Sequence, residues 1–259
     1  MTDSSPSSPS PPPSACAPRR LGLIGCGRIA RPIIDNWRDG GLPGWAITGV
    51  LARGKREFGV VHSTDDAEAF FGAGHDLIIE AAGPSALAAF GVRALRMAHV
   101  WTVSAAALAD AALFDALQAA GHKAGHRLRV LTGAIAGIDG VAMASLDPQA
   151  VLQLDIDLPP GDGPRELVFS GSVREAAMRY ANSVNVAVAA ALAGPGLDSA
   201  RIDVHRPGSV PQHRLALSAK SRYATVYASV GHVRGSGVHP VAACLIGALR
   251  QELKTVWVG

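Results

Sequence analysis

The sequence predicts two successive units: an α/β unit built on a parallel sheet, then an α+β unit whose sheet is largely antiparallel. Three observations predict this. Apolar strand-like runs alternate with helix-like stretches from residue 20 to residue 131. A glycine turn, Gly25-Cys26-Gly27, stands at the first strand-to-helix junction. After Gly133 the alternation gives way to strand-like segments with fewer helices between them. The chain has 259 residues, of which 48% are hydrophobic and 17% charged, enough for one large or two modest domains with a substantial core.

In the first unit, strands are expected at 21–24, 46–51, 77–81, 101–104 and 129–131, with helices at 29–38, 67–71, 86–97 and 109–121. In the second, strands are expected at 150–158, 166–170, 200–205, 213–219 and 224–230. A helix at 184–192 is preceded by Asn182 and Ser183, good capping residues, and stopped by Gly194-Pro195-Gly196. The last helix, 240–254, starts on a proline, which a first helical turn tolerates. The implied division is a Ser/Pro-rich tail at 1–18, a dinucleotide-binding domain at 19–132, and a substrate or oligomerisation domain at 133–259 whose last helix can return to the first domain. The tail has no periodic apolar face and is expected to be disordered. It lacks the charged start and continuous apolar stretch of a secretory signal.

Gly25 to Ala30 reads G-x-G-x-x-A after a strand and at a helix start. That is the Rossmann-type dinucleotide fingerprint. Gly25 allows the tight turn, Gly27 lets backbone approach a pyrophosphate, and Ala30 lets the helix pack close to the strand. The amides of Arg28 and Ile29 open the helix, where its dipole favours phosphate. A second turn, Ala82-Gly83-Pro84, falls on the same sheet edge and completes the candidate cofactor wall. At the end of the second strand, where an acid would hold a ribose 2′-hydroxyl, stand Arg53, Lys55 and Arg56. These favour NADP(H) over NAD(H), unless they form only a solvated basic loop.

Other chemistry is thinly represented. The net charge is +3 with cations scattered, so no nucleic-acid footprint is read. No apolar run reaches the roughly 18 residues of a membrane span. Three cysteines, Cys16, Cys26 and Cys244, form no CxxC and suggest reduced cytoplasmic thiols. His122 and His126 form an HxxxH pair without the glutamate of HExxH, and no metal is expected. No G-x-S-x-G element suggests acyl transfer. Hydride chemistry assisted by one acid or base remains.

The chain resembles the L-aspartate dehydrogenase family. The resemblance rests on GCGRIA at 25–30, EAAGPSAL at 80–87, TGAIAGIDG at 132–140, the long segment 169–198 and the strand containing Pro211-Gln212-His213. It covers roughly residues 20–250 in order. It implies reversible oxidative deamination of L-aspartate to iminosuccinate with NAD(P). The imine then hydrolyses to oxaloacetate and ammonia or feeds nicotinamide-cofactor biosynthesis. Carried over by position, the catalytic histidine falls on His213, and the cofactor-contacting positions fall on Ala134 and Asn185. Asn185 can also orient substrate or simply cap its helix. The form expected of such an enzyme is a cytoplasmic homodimer. Two departures stand out. Pro211 replaces the family's asparagine two residues before the histidine, and His239-Pro240-Val241-Ala242 replaces Asn-Pro-Lys-Thr. With the lysine and threonine gone, His239, Lys220 or Arg222 is left to meet a substrate carboxylate. The alternatives are a related dehydrogenase or imine reductase on another amino or oxo acid, and a dinucleotide-binding protein without turnover.

Overall fold

The computed structural model describes residues 17–54, 57–58, 61–159, 163–206, 208, 212–233 and 237–256, with backbone alone at 62, 212, 213 and 233. The expectation for the tail, Cys16 included, therefore lies outside the described residues but for 17 and 18, as do Lys55, Arg56 and Pro211. The first sheet contains β1 (Arg19–Ile24), β2 (Trp45–Leu51), β3 (Glu57–Phe58), β4 (Val61–Thr64), β5 (Leu77–Glu80), β6 (His99–Thr102) and β7 (Leu128–Val130). Their order is β3-β4-β2-β1-β5-β6-β7, parallel throughout except for β3 against β4. The central strands are buried on both faces, which is why they read as short continuous apolar runs such as LIIE.

Helices cover both faces. Helix α1 (Ala30–Arg38) and the last helix, α8 (Pro240–Glu252), share one apolar cluster with β1, β2 and β5. Leu245 and Leu249 of α8 are fully buried there, and the Trp45 indole N–H donates to the Leu249 carbonyl at 3.0 Å. On the other face lie α2 (Ala67–Gly72), α3 (Pro84–Met97) and α4 (Ala111–Ala124). Asp110 caps α4 through the amides of Ala112 and Leu113, and Gly125 ends it in the left-handed region. Before it, Ala105–Ala109 form a 3₁₀ turn, and the helix expected at 109–121 begins only at Ala111.

The second sheet contains β8 (Val151–Asp157), β9 (Glu166–Ser172), β10 (Arg201–Arg206), β11 (Gln212–Lys220) and β12 (Thr225–Val233), in the order β12-β11-β8-β10-β9. Three of its pairings are antiparallel; β8 and β10 run parallel. Helices α5 (Ile138–Ala144), α6 (Val173–Tyr180) and α7 (Asn185–Ala193) join it in a single core. That core also takes in Ala105 and Ala106, while Leu108 of the same 3₁₀ turn is buried with α3 and α4, so the turn bridges the two units. Helix α7 is buried almost all round, through Ala187 to Ala191. Its N-cap is Val184 with no side-chain bond, so the capping expected of Asn182 and Ser183 is not found. The helix is held by burial instead.

Two buried polar groups pin the frame. The His75 ring bonds the Phe70 carbonyl through Nε2 (2.9 Å) and meets the Thr48 hydroxyl through Nδ1 (2.7 Å). Burial pushes its pKa down, so the neutral ring is the form the fold accommodates. Asp147 is buried below the β11–β12 turn and accepts from the Arg222 amide (2.7 Å), the Arg222 guanidinium (3.0 Å) and the Gln149 amide (3.1 Å). The Arg222 guanidinium leads in holding its carboxyl down to about 2. Arg222 is thus committed to the hairpin.

Candidate active site at the carboxyl edge of the first sheet

Strands β1, β2, β5, β6 and β7 all end on one edge of the first sheet, where ligands of open parallel sheets bind. The Gly25 amide donates to the Leu51 carbonyl at 2.8 Å, which seats the glycine turn beside the end of β2. Gly25 has φ +107°, and a Cβ there would lie 3.0 Å from the Ala82 Cβ and 3.1 Å from the Ala81 carbonyl. A side chain at Gly25 is strained by the backbone conformation and crowded by the Ala81–Ala82 turn. Gly27 differs: a Cβ there would meet nothing within 4 Å. The first bond of α1 runs from the Arg31 amide to the Gly27 carbonyl (2.9 Å), so the amides before it lie outside the helical ladder. Open space beside free helix-start amides fits the backbone approach of a pyrophosphate. Arg28 follows, exposed and without a hydrogen bond or ion pair among the described residues. Arg53, two residues beyond β2, is exposed and equally unpaired among them.

The turn after β5 is built on Glu80, which is 1% exposed. Its Oε1 accepts from the amides of Ala82 (2.8 Å) and Gly83 (2.9 Å), and its Oε2 from the Thr102 hydroxyl (2.6 Å). Gly83, at φ +115°, then caps α3.

Beside this edge lies a cavity of about 810 Å³ between the two units. Its walls come from the glycine-turn side (Arg28, Ile29, Arg31, Pro32, Asp35), the crossing after β7 (Leu131 to Ala134), the α7 entry (Asn182, Ser183, Asn185, Val186), the second sheet (Leu215, His232) and the α8 entry (Gly237 to Val241). Val103 and Pro159 complete it. The cavity brings together Arg28, Ile29, Ala134, Asn185 and His239 from the sequence-derived set. Gly25, Gly27, Arg53, Ala82 and Gly83 do not line it; they stand along the sheet edge.

Asn185 opens α7, and its Oδ1 accepts the Ala106 amide at 2.9 Å. That bond assigns the carbonyl end of the side chain and leaves its NH₂ as the donor for the cavity. It is not a helix cap. His239 does cap: its Nδ1 accepts the Val241 amide of α8 at 3.3 Å. His232 donates from Nε2 to the Ala134 carbonyl at 3.1 Å, bracing the crossing after β7. The side chain of His213 lies outside the described residues. Its backbone position in β11 pairs with His232 and is two residues from Leu215, and both of those line the cavity.

Neither Lys220 nor Arg222 stands in for the missing lysine. Lys220 is exposed at the far end of β11, and Arg222 is held by Asp147; neither lines the cavity. Val241 and not a cation forms that part of the wall. His126 donates from Nδ1 to the Leu95 carbonyl (2.8 Å) and packs edge-on against His99. Cys26 and Cys244 are free thiols, and burial pushes Cys244 up. Glu80, Thr102 and His232 were not singled out from sequence as site residues. The strand-end position of Glu80 was the available signal for the first two, and the hairpin register opposite His213 for the third.

A parallel-sheet unit with an open glycine turn, joined through a cavity with a few polar groups to a second mixed sheet, defines a nicotinamide-dinucleotide oxidoreductase. Residues 25–131 match the family model for the homoserine dehydrogenase NAD-binding domain, and residues 130–239 that for the aspartate dehydrogenase C-terminal domain. The chain belongs to the L-aspartate dehydrogenase family. It is 33% identical over 246 residues to L-aspartate dehydrogenase 1 of Bordetella pertussis, covering 90% of this chain and 95% of that one. It is 34% identical over 261 residues to L-aspartate dehydrogenase of Ruegeria pomeroyi, covering 90% and 92%. The crystal structure of aspartate dehydrogenase from Thermotoga maritima superposes with a TM-score of 0.75 at 16% identity, over 93% of this chain and 99% of that one.

The two turn glycines are expected to respond differently to alanine. Gly25→Ala strains the turn by about 1–2 kcal/mol from backbone conformation alone, and its contact with Ala82 adds to this. Gly27→Ala leaves thermal stability near wild type and weakens NADPH binding about tenfold, or ~1.4 kcal/mol. Melting curves and fluorescence titration of both variants check this; a Gly27→Ala protein that binds like wild type rules out the cradle.

Proposed function

We propose that this chain catalyses reversible oxidative deamination of L-aspartate with NADP(H) preferred over NAD(H). The observation that carries the reading is the cavity where Arg28, Ile29, Ala134, Asn185 and His239 meet, with backbone position 213 opposite His232 on its sheet wall. The glycine turn, residues 25–29, holds the pyrophosphate, Ala82 and Gly83 line the adenosine side, and Ala134 and Asn185 hold the nicotinamide end. A nicotinamide held there would supply the acceptor for the hydride leaving the amino acid Cα. His213 accepts the proton released from the amino group and returns one when the reaction runs toward amination. The Asn185 NH₂ and the His239 ring meet the substrate carboxylates at the other wall. The iminosuccinate formed adds water and releases ammonia, leaving oxaloacetate. A second reading keeps this hydride chemistry on another amino or oxo acid, and Val241 in place of a cation favours it.

The chain is further proposed to act in the cytoplasm as a homodimer. Among the described residues no helix is long and apolar enough to cross a membrane. Helices cover one face of the second sheet, while Val151 and Tyr227 on the other are 57% and 72% exposed. A second copy covers that face, and light scattering is expected to read twice the 26.6 kDa chain mass. A monomer reading, or a dimer that survives Tyr227→Asp unweakened, counts against this surface.

Steady-state assay with aspartate, and with oxaloacetate plus ammonia, separates the two substrate readings. His213→Ala is expected to lower kcat by about 10²–10⁴-fold and to leave the NADPH Kd nearly unchanged. Wild-type turnover in a folded variant removes His213 from the chemistry.

Arg53 is proposed to hold the 2′-phosphate. Arg53→Asp should cost NADPH about 10–100-fold in kcat/KM while sparing NADH, the worth of one charged hydrogen bond at roughly 1.5–3 kcal/mol. An unchanged ratio of the two efficiencies makes the corner a solvated loop.

A further inference from the structure

Asn185 and the glycine turn belong to different units, yet a path of contacts and hydrogen bonds with a buried centre at Glu80, Thr102 and Ser104 runs between them. It begins at Gly25, whose turn rests against Ala81 and Ala82. The amides of Ala82 and Gly83 donate to Glu80 Oε1 at 2.8 and 2.9 Å. Glu80 Oε2 accepts the Thr102 hydroxyl at 2.6 Å, and the same hydroxyl oxygen accepts the Ser104 amide at 3.0 Å. Ser104 is the N-cap position of the 3₁₀ turn, and Ala106 of that turn donates its amide to Asn185 Oδ1 at 2.9 Å. Glu80, Thr102 and Ser104 are 1%, 0% and 2% exposed.

We infer that Glu80 and Thr102 are positioning residues that set the cofactor turn and the Asn185 carboxamide as one unit. Neither side chain lines the cavity, so neither touches the reacting atoms. A buried carboxylate cannot shed its donors without a large desolvation cost, so the two turns it gathers are held at fixed spacing. The Thr102 hydroxyl donates to Glu80 and accepts from Ser104, so it fixes the 3₁₀ turn relative to the turn after β5. Through Ala106 that turn decides which end of Asn185 is left for ligand. The path rests on the proposed role of Asn185 at the nicotinamide or substrate, but its cofactor half does not need the substrate to be aspartate.

The test is Thr102→Val, which keeps the shape and removes the hydroxyl, beside Thr102→Ser, which keeps the hydroxyl. Three quantities are measured on the whole protein: the NADPH Kd without substrate, kcat/KM for aspartate, and Tm. Thr102→Val is expected to raise the Kd at least tenfold and to lower kcat/KM by a further tenfold beyond that. Thr102→Ser is expected to stay within threefold of wild type in both. In an Asn185→Ala background the extra loss in kcat/KM from Thr102→Val should vanish, because the path then has no end group to orient. A Thr102→Val protein with lowered Tm but unchanged Kd and kcat makes the pair a stability element only and overturns the inference. Fully additive losses with Asn185→Ala overturn the coupling to the second unit. If Thr102→Val does not fold, Glu80→Gln replaces it, since its amide oxygen still accepts from Ala82 and Gly83 while the Thr102 contact changes; an unaltered Kd and kcat/KM there is equally fatal. A wild-type protein that binds NADPH but leaves aspartate unchanged overturns the aspartate reading alone, and the Kd arm still decides the cofactor half.

Discussion

A carboxylate removed from water must be given donors, and Glu80 is removed from water at the end of a central strand. The donors within reach are two turn amides and one threonine hydroxyl. Satisfying them leaves the carboxyl edge of the sheet little freedom. The Ala82–Gly83 turn is drawn in until Gly25 must be a glycine, and the Ser104 turn is drawn in beside it. The position of the glycine turn against β2, through Gly25 and Leu51, completes the same edge. Much of what makes this sheet a dinucleotide platform thus follows from where one buried charge finds its partners.

The frame was legible in the sequence where its signals are local. Apolar runs marked β1, β2, β5 and β6 because parallel strands with helices on both faces are buried twice, whereas β7 is a half-buried edge strand. The glycine turn was legible because its residues have steric duties that no other types fulfil. Missed elements have identifiable reasons. Strands β3 and β4 are two and four residues long, too short to show a period. Helix α5 starts on Gly137 in a glycine-rich stretch that has poor helix propensity, and tertiary burial of Val141 and Ala144 overrides it. Helix α6 did carry a signal: Ser172 and Glu175 form a reciprocal capping box, S-x-x-E, at its start.

The site was legible to a smaller degree, because its parts meet through distant contacts. Arg28, Ile29, Ala134, Asn185 and His239 do share one cavity. Nothing local tells that Asn185 answers to Ala106, 79 positions away, or that Arg222 is taken by Asp147, 75 positions away. The second pairing matters for recognition. It withdraws a cation from the substrate side, so the arginines of the cavity, Arg28 and Arg31, stand at the start of α1, and Arg31 is paired with Asp35 at 3.2 Å. The opposite wall offers the Asn185 amide and the rings of His232 and His239 in place of a lysine.

The return of α8 to the first sheet has a mechanical consequence. The polypeptide passes between the units twice, once at Leu131 to Ala134 and once ahead of Pro240, and both passages form part of the cavity wall. Two attachments alone would act as a pair of door pins, but Ala105 and Ala106, sunk in the second core, are a bolt across the door. Leu245 and Leu249, sunk in the first core, keep the second pin from sliding. The space for substrate therefore lies beside a bolted axle, where its walls keep their spacing.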